Sequence, residues 1–174
     1  MRGDNVILVG FMGAGKSVIG RLLARRLGRC FVETDDMIVA RDGRPIPEIF
    51  RQDGEEAFRR LEAEAVEALR LKTGDVIATG GGLPCREGRM DALRVLGTVV
   101  WLRGELPELL ARARRTGARP MLERRSPEEI AALHRARVAY YAQADLVVDT
   151  AGLGVDQVVA RVLAALRERD AARV

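Results

Sequence analysis

One histidine, two cysteines and two lysines are all that a chain of 174 residues carries of the side chains most often used for metal, redox and amine chemistry. A single histidine, His134, and the widely separated Cys30 and Cys85 make no metal-ligand spacing, so zinc ribbons, zinc fingers and metalloprotease helices are excluded. Two cysteines also exclude a disulfide-built scaffold, and reduced thiols are expected. Aromatic residues amount to 4%, too few for the stacking platforms of single-strand nucleic-acid binders. No apolar run is long enough to cross a bilayer. Met1-Arg2-Gly3-Asp4 leads straight into the first apolar run, so no secretory signal is expected, and cytoplasmic residence is the default expectation.

What remains is a hydrophobic content of 48%, a charged content of 31% and a net charge of +4, the profile of one globular domain with a full core. The surplus arginines are interleaved with glutamates, as in Glu55-Glu56-Ala57-Phe58-Arg59-Arg60-Leu61-Glu62. That interleaving speaks for solvated helix faces and a small anionic ligand rather than for nucleic acid.

Five short apolar runs, Val6–Val9, Cys30–Val32, Val76–Ala78, Val99–Leu102 and Leu146–Val148, read as strands separated by helical patterns. That alternation predicts an α/β domain with a five-stranded parallel sheet. Gly28 reads as the stop of the first helix. Between the second and third strands, Pro45–Phe50 and Glu55–Leu71 are too much chain for one crossover, and a helical subdomain is expected over about residues 33–71. Ser126, Pro127 and Glu129 predict a capped helix start, and Val155–Arg167 predicts a last helix with Val158, Val162, Leu163 and Leu166 on one face. His134 is expected to be structural or exposed, and Trp101 to lie in the core.

Chemistry enters at Gly10-Phe11-Met12-Gly13-Ala14-Gly15-Lys16-Ser17, between the first strand and a helix. Glycines let backbone N–H groups wrap phosphate oxygens, and the helix N-terminus adds its dipole. Gly13, Ala14, Gly15, Lys16, Ser17 and Val18 are therefore nucleotide-binding candidates, with Lys16 reaching the β/γ-phosphates and Ser17 meeting Mg²⁺. Lysine is kept here in a chain whose other basic residues, Lys72 apart, are arginine. A compact ammonium enters a backbone nest where a forked guanidinium fits poorly. The chain is expected to bind ATP.

After the second strand come Glu33-Thr34-Asp35-Asp36. Ligands of parallel sheets sit at the carboxyl ends of the strands, so these acids face the phosphate loop. One suits Mg²⁺ through water and one the hydroxyl that attacks the γ-phosphate, while Asp36 reads as the cap of the next helix. After the third strand, Thr79-Gly80-Gly81-Gly82 asks for bare backbone beside a polyhydroxylated ligand or a phosphate.

These residues together resemble the shikimate kinase family: Gly10–Ser17, Thr34-Asp35, Asp53-Gly54-Glu55 with Phe58-Arg59, Thr79–Gly82, Arg119-Pro120-Met121-Leu122, and Arg137 with Tyr141. The resemblance implies a P-loop three-layer sandwich with a lid over about residues 116–127. It implies ATP-dependent phosphorylation of the shikimate 3-hydroxyl with Mg²⁺, by a monomer. Asp35 would hold the attacking hydroxyl, and Arg59 and Arg137 would clamp the shikimate carboxylate beside Phe58. Gly80, Gly81 and Gly82 would line the pocket, Arg119 would stabilise the transferring phosphoryl group, and Arg115 would stack on adenine. The chain departs from the family pattern at Glu33, where aspartate is usual and a hydrated metal is expected, and at Asp36, a carboxylate the family commonly lacks. It departs again at Ala139, and in Thr150–Gly154, where some members have proline. A gluconate-type kinase and a nucleotide-binding module without transfer activity are the alternatives.

Overall fold

A computed structural model describes residues 5–115 and 125–172. The apolar run at the start forms β1 (Asn5–Val9), buried along its whole length. A strand apolar on both faces needs cover on both, which parallel crossovers supply. β1 lies at the centre of a five-stranded parallel sheet with β2 (Phe31–Glu33), β3 (Val76–Ala78), β4 (Gly97–Arg103) and β5 (Leu146–Asp149), in the order β2-β3-β1-β4-β5. Asn5, itself buried, ties down the opposite end of the sheet: its amide donates to Lys72 O (2.9 Å) and Leu96 O (3.0 Å), and its carbonyl accepts from Asp75 N (2.9 Å).

Register decides where the chemistry gathers. Leu8 pairs with Ala78, and Ala78 pairs with Glu33. The phosphate loop, Thr34-Asp35 and Thr79-Gly80 therefore leave the sheet at one level, from neighbouring strands.

Among the described residues, seven α-helices surround the sheet: α1 (Lys16–Leu27), α2 (Thr34–Asp42), α3 (Ile46–Ala68), α4 (Arg89–Leu96), α5 (Leu106–Arg115), α6 (Pro127–Tyr141) and α7 (Val155–Ala171), with a 3₁₀ turn at Leu69–Leu71. α1 stops at Gly28, in the left-handed conformation expected of a C-terminal glycine. α6 starts with the expected capping box, Glu129 N donating to Ser126 Oγ and Ser126 N to Glu129 Oε2. α7 runs four residues past the expected end and buries Val158, Val159, Val162 and Leu166. Trp101 joins the sheet core, and both cysteines are free.

α2 and α3 carry a small core of their own, Ile38, Ile49, Phe58 and Ala65, with Ile46 and Leu61 against it. Burying a side chain such as Ile49 fully is worth about 1.5–3 kcal/mol, so this layer holds α2 and α3 together. α3 is two helical pieces joined at Gly54 (φ 79°, ψ −178°), the break foreseen between Phe50 and Glu55. Arg44 braces the bend, bonding Asp42 (2.6 Å) at the end of α2 and Gln52 (2.7 Å) just before Gly54. One expectation is corrected: α2 begins at Thr34, so Asp36 lies exposed within its first turn and is not its cap. Pairing with Ala78 carries β2 to Glu33, and the helix follows without a spacer.

Candidate active site

Gly10–Ser17 runs from the end of β1 into α1. Gly13 has φ 78°, and a Cβ there would lie 1.9 Å from Leu109 O, so α5 packs on bare loop backbone. Lys16 Nζ curls back over the loop and donates to Gly10 O (2.8 Å) and Phe11 O (3.1 Å). No side chain caps α1 and no acid sits in its first turn, so the positive end of its dipole is left for an anion. Val18 follows, more than half exposed.

Ser17 Oγ donates to Glu33 Oε1, and Arg21 Nη2 donates to Glu33 Oε2 at 3.2 Å. The carboxylate of Glu33, at the end of β2, meets the Ser17 hydroxyl in the first turn of α1. Two hard oxygens are thus already together, as Mg²⁺ requires when phosphates and water complete its shell. No cluster of three or more His, Cys, Asp or Glu able to hold a metal occurs among the described residues.

The glycine triplet after β3 is where the remaining candidates converge. A Cβ on Gly80 would lie 2.6 Å from Asp35 Oδ1; one on Gly81 would lie 3.5 Å from Arg137 Nη1; one on Gly82 would lie 3.0 Å from Arg59 Nη1 and 3.2 Å from Arg137 Nη2. Side chains on these residues would fill the space between one carboxylate and two guanidiniums. The turn is held from behind: Gly80 N donates to Thr34 Oγ1 (3.0 Å), while Tyr141 OH (2.6 Å) and Cys85 Sγ (3.5 Å) donate to Gly81 O. Burial raises the pKa values of both the Tyr141 phenol and the Cys85 thiol, which keeps them protonated as donors.

Arg59 projects from the second piece of α3 and Arg137 from α6. Arg59 Nη1 donates to Glu62 Oε2 at 2.7 Å, and Nε (3.2 Å) and Nη2 (2.9 Å) donate to Glu55 Oε1. Glu62 is 3% exposed; burial pushes its carboxyl above the usual range, against the pull of Arg59. Arg137 is also buried, its guanidinium 5.7 Å from the centre of the Phe11 ring. Phe58 belongs to the small core of α2 and α3, under the Arg59 guanidinium. His134 is half-buried edge-on to Phe11, and burial lowers its pKa, as befits a structural residue.

Arg115 ends α5, exposed. One turn earlier Arg112 bonds Thr150 Oγ1 (3.1 Å) and Thr150 O (2.8 Å) at the end of β5. The sequence offers Arg112, Arg114 and Arg115 alike, and only the position of β5 singles out Arg112. Glu62 also escaped sequence reasoning; its spacing three residues after Arg59 on a helix was the available signal. Arg119 lies outside the described residues.

Known proteins resemble this chain in sequence and in fold. The sequence profile of the family described as Shikimate kinase matches residues 12–167. Shikimate kinase of Geobacter sulfurreducens is 47% identical, over 95% of this chain and 92% of its own; that of Moorella thermoacetica is 45% identical, over 94% of each. The structure of shikimate kinase from Acinetobacter baumannii in complex with shikimate superposes with a TM-score of 0.88 at 33% identity, covering 95% of this chain and 94% of that one. With kinship running along nearly the whole length of both partners, the chain belongs to the shikimate kinase family.

Proposed function

We propose that this chain transfers the γ-phosphoryl group of ATP to the 3-hydroxyl of shikimate, giving shikimate 3-phosphate and ADP. The observation that carries this reading is the meeting of Asp35, Arg59 and Arg137 around Gly80–Gly82, next to a phosphate-binding loop.

A six-membered hydroxy acid needs a cationic anchor at its carboxylate and a carboxylate at its reacting hydroxyl. Arg59 and Arg137 supply the first, since guanidinium groups pair bidentately with carboxylates. Asp35 supplies the second: it accepts the hydrogen bond of the 3-hydroxyl and takes its proton as the new O–P bond forms and the bond to ADP breaks. Gly80, Gly81 and Gly82 leave the ring room between them.

The backbone of Gly13–Val18 cradles the phosphates, and Lys16 exchanges its loop carbonyls for β/γ-oxygens. Ser17 would hold Mg²⁺, with Glu33 reaching it through water. The ion, when bound, neutralises charge across the β- and γ-phosphates. The base end of the nucleotide is placed against α5, where Arg112 joins the end of β5 and Arg115 closes the helix. Arg119 takes the role implied by the family, stabilising charge on the transferring group.

Residues 33–71 act as the substrate-binding part and the segment around 116–127 as the lid of a single kinase domain. Every group assigned here comes from one chain, so a monomer suffices. Pairs of arginine with carboxylate, such as Arg41–Glu64 and Arg103–Asp149, favour a small anionic ligand over nucleic acid as the partner. Free thiols and dependence on ATP suit the cytoplasm, and no described helix is long and apolar enough to cross a membrane.

Coupled ADP release measured with shikimate, with gluconate and with no acceptor tests the reading. ADP formation that requires shikimate and Mg²⁺ is expected. Equal release with gluconate, or tight ATP binding without turnover on any acceptor, would overturn it.

A further inference from the structure

Arg59 has five N–H donors, and three of them are already engaged: Nε and Nη2 with Glu55, Nη1 with Glu62. One N–H on each Nη is left, along the edge that faces Gly82. Glu62 is buried and lies at the back of the guanidinium. Glu55 is different, for its side chain is 59% exposed and stands at the mouth of the clamp, on the same guanidinium that the substrate carboxylate uses in the reading above.

Glu55 is held there from two sides. It is the first residue after the bend at Gly54, and its Oε1 also accepts from Arg86 Nη2 (3.1 Å), on the chain that leaves the glycine triplet. Hydrogen bonds from Arg59 hold its carboxyl below the usual range, and the charges of Arg86 and Arg125 add to the effect. A fixed negative charge therefore sits beside the one open edge of Arg59.

Resting on the carboxylate clamp proposed above, we infer that Glu55 is a specificity-determining residue that limits the clamp to ligands with a single acidic group. One carboxylate fits the Nη1/Nη2 edge. A second acidic group on the neighbouring ring carbon would turn toward the Nε edge and meet Glu55, which both occupies those donors and repels it. Two unit charges about 5 Å apart interact by about 0.8 kcal/mol in bulk water and several-fold more near a protein surface, so the discrimination is about 4-fold or greater.

The test compares two simple competitive inhibitors against shikimate, cyclohex-1-ene-1-carboxylate and cyclohex-1-ene-1,2-dicarboxylate, at a pH where both are fully ionised. The readout is the ratio of their inhibition constants, which cancels any general loosening of the pocket. Glu55→Gln should shift that ratio at least 4-fold toward the dicarboxylate, and the shift should shrink in 0.5 M salt as screening takes hold. Arg86→Gln should move the ratio the opposite way, because it removes a positive charge from the same corner and leaves Glu55 less neutralised. Glu55→Asp, which keeps the charge, should restore most of the wild-type ratio. An unchanged ratio in Glu55→Gln, or a shift indifferent to salt, overturns the inference while wild-type turnover of shikimate leaves the kinase reading intact. Absence of that turnover would instead remove the reading itself.

Discussion

Asp35 and Gly80 are neighbours because β2 and β3 are paired in register, with Glu33 opposite Ala78. The carboxylate is therefore placed by two elements at once, and its removal should be felt in chemistry rather than in binding of the nucleotide. Asp35→Asn keeps shape and volume but loses the proton acceptor. Turnover is expected to fall about 10²–10⁴-fold, the range of general acid–base contributions, while ATP affinity changes less than about 2-fold. Single-turnover rates together with nucleotide titration would show it, and near-normal turnover would strip Asp35 of its role. Arg59 and Glu62 make a second case, one of stability. Burial raises the Glu62 carboxyl above its unfolded value, so the folded chain favours its protonated form. Its stabilising share is then complete below the ordinary glutamate range and is lost as pH rises through the raised folded pKa. Arg59 offsets that loss by pairing with the ionised form. Arg59→Met removes the offset, raising the folded pKa further. The variant should be nearly as stable as wild type around pH 5 and progressively less stable toward pH 8, by about 3 kcal/mol or more. Urea unfolding across that range checks the sign; a pH-independent difference would refute it.

At the scale of elements, Gly54 is the position where the backbone itself is decisive. Its φ of 79° with ψ near 180° belongs to a region open essentially to glycine alone, though a Cβ would meet nothing within 4 Å. Gly54→Ala should cost about 1–3 kcal/mol through strain rather than collision. Since Glu55, Phe58 and Arg59 all follow the bend, KM for shikimate should rise with ATP affinity unchanged; equal losses for both ligands would argue against a local hinge. The bend also shows what could be read without coordinates. Excess chain between the second and third strands, in the two stretches Pro45–Phe50 and Glu55–Leu71, pointed to more helix than one crossover needs. The five parallel strands were legible because each is a short apolar run bounded by turn residues. Their ends were not: Glu33 is polar yet continues β2, because the ladder to Ala78 carries it. That one residue moved the start of α2 and overturned Asp36 as a cap. Arg112 was hidden for a similar reason, since three arginines crowd the end of α5 and only the tertiary position of Thr150 distinguishes them. The glycine triplet announced that bare backbone was needed, but not that two guanidiniums and a carboxylate were what it had to admit.

Taken whole, the molecule separates its two ligands by element while joining them through the sheet. The nucleotide side rests on β1 and α1, with α5 packed on Gly13. The acid side rests on α3, α6 and the turn after β3, is braced by Tyr141 on Gly81 and Thr34 on Gly80, and meets the phosphate loop where Arg137 and His134 pack on Phe11. Each ligand should therefore stabilise the fold by its own mass action. At a concentration 100-fold above its dissociation constant, a ligand adds about 2.7 kcal/mol, which for a chain of this size raises Tm by about 5–10 °C. Wild type should show both shifts in thermal unfolding, one with MgATP and one with shikimate. Arg59→Ala, heated with the same ligands, should keep the MgATP shift and lose most of the shikimate shift. Lys16→Met should do the reverse, because the ammonium it removes is the group that reaches the phosphate oxygens. If either substitution abolished both shifts in protein that still unfolds cooperatively, the two halves would be one energetic unit, and the division of labour between the elements would fail.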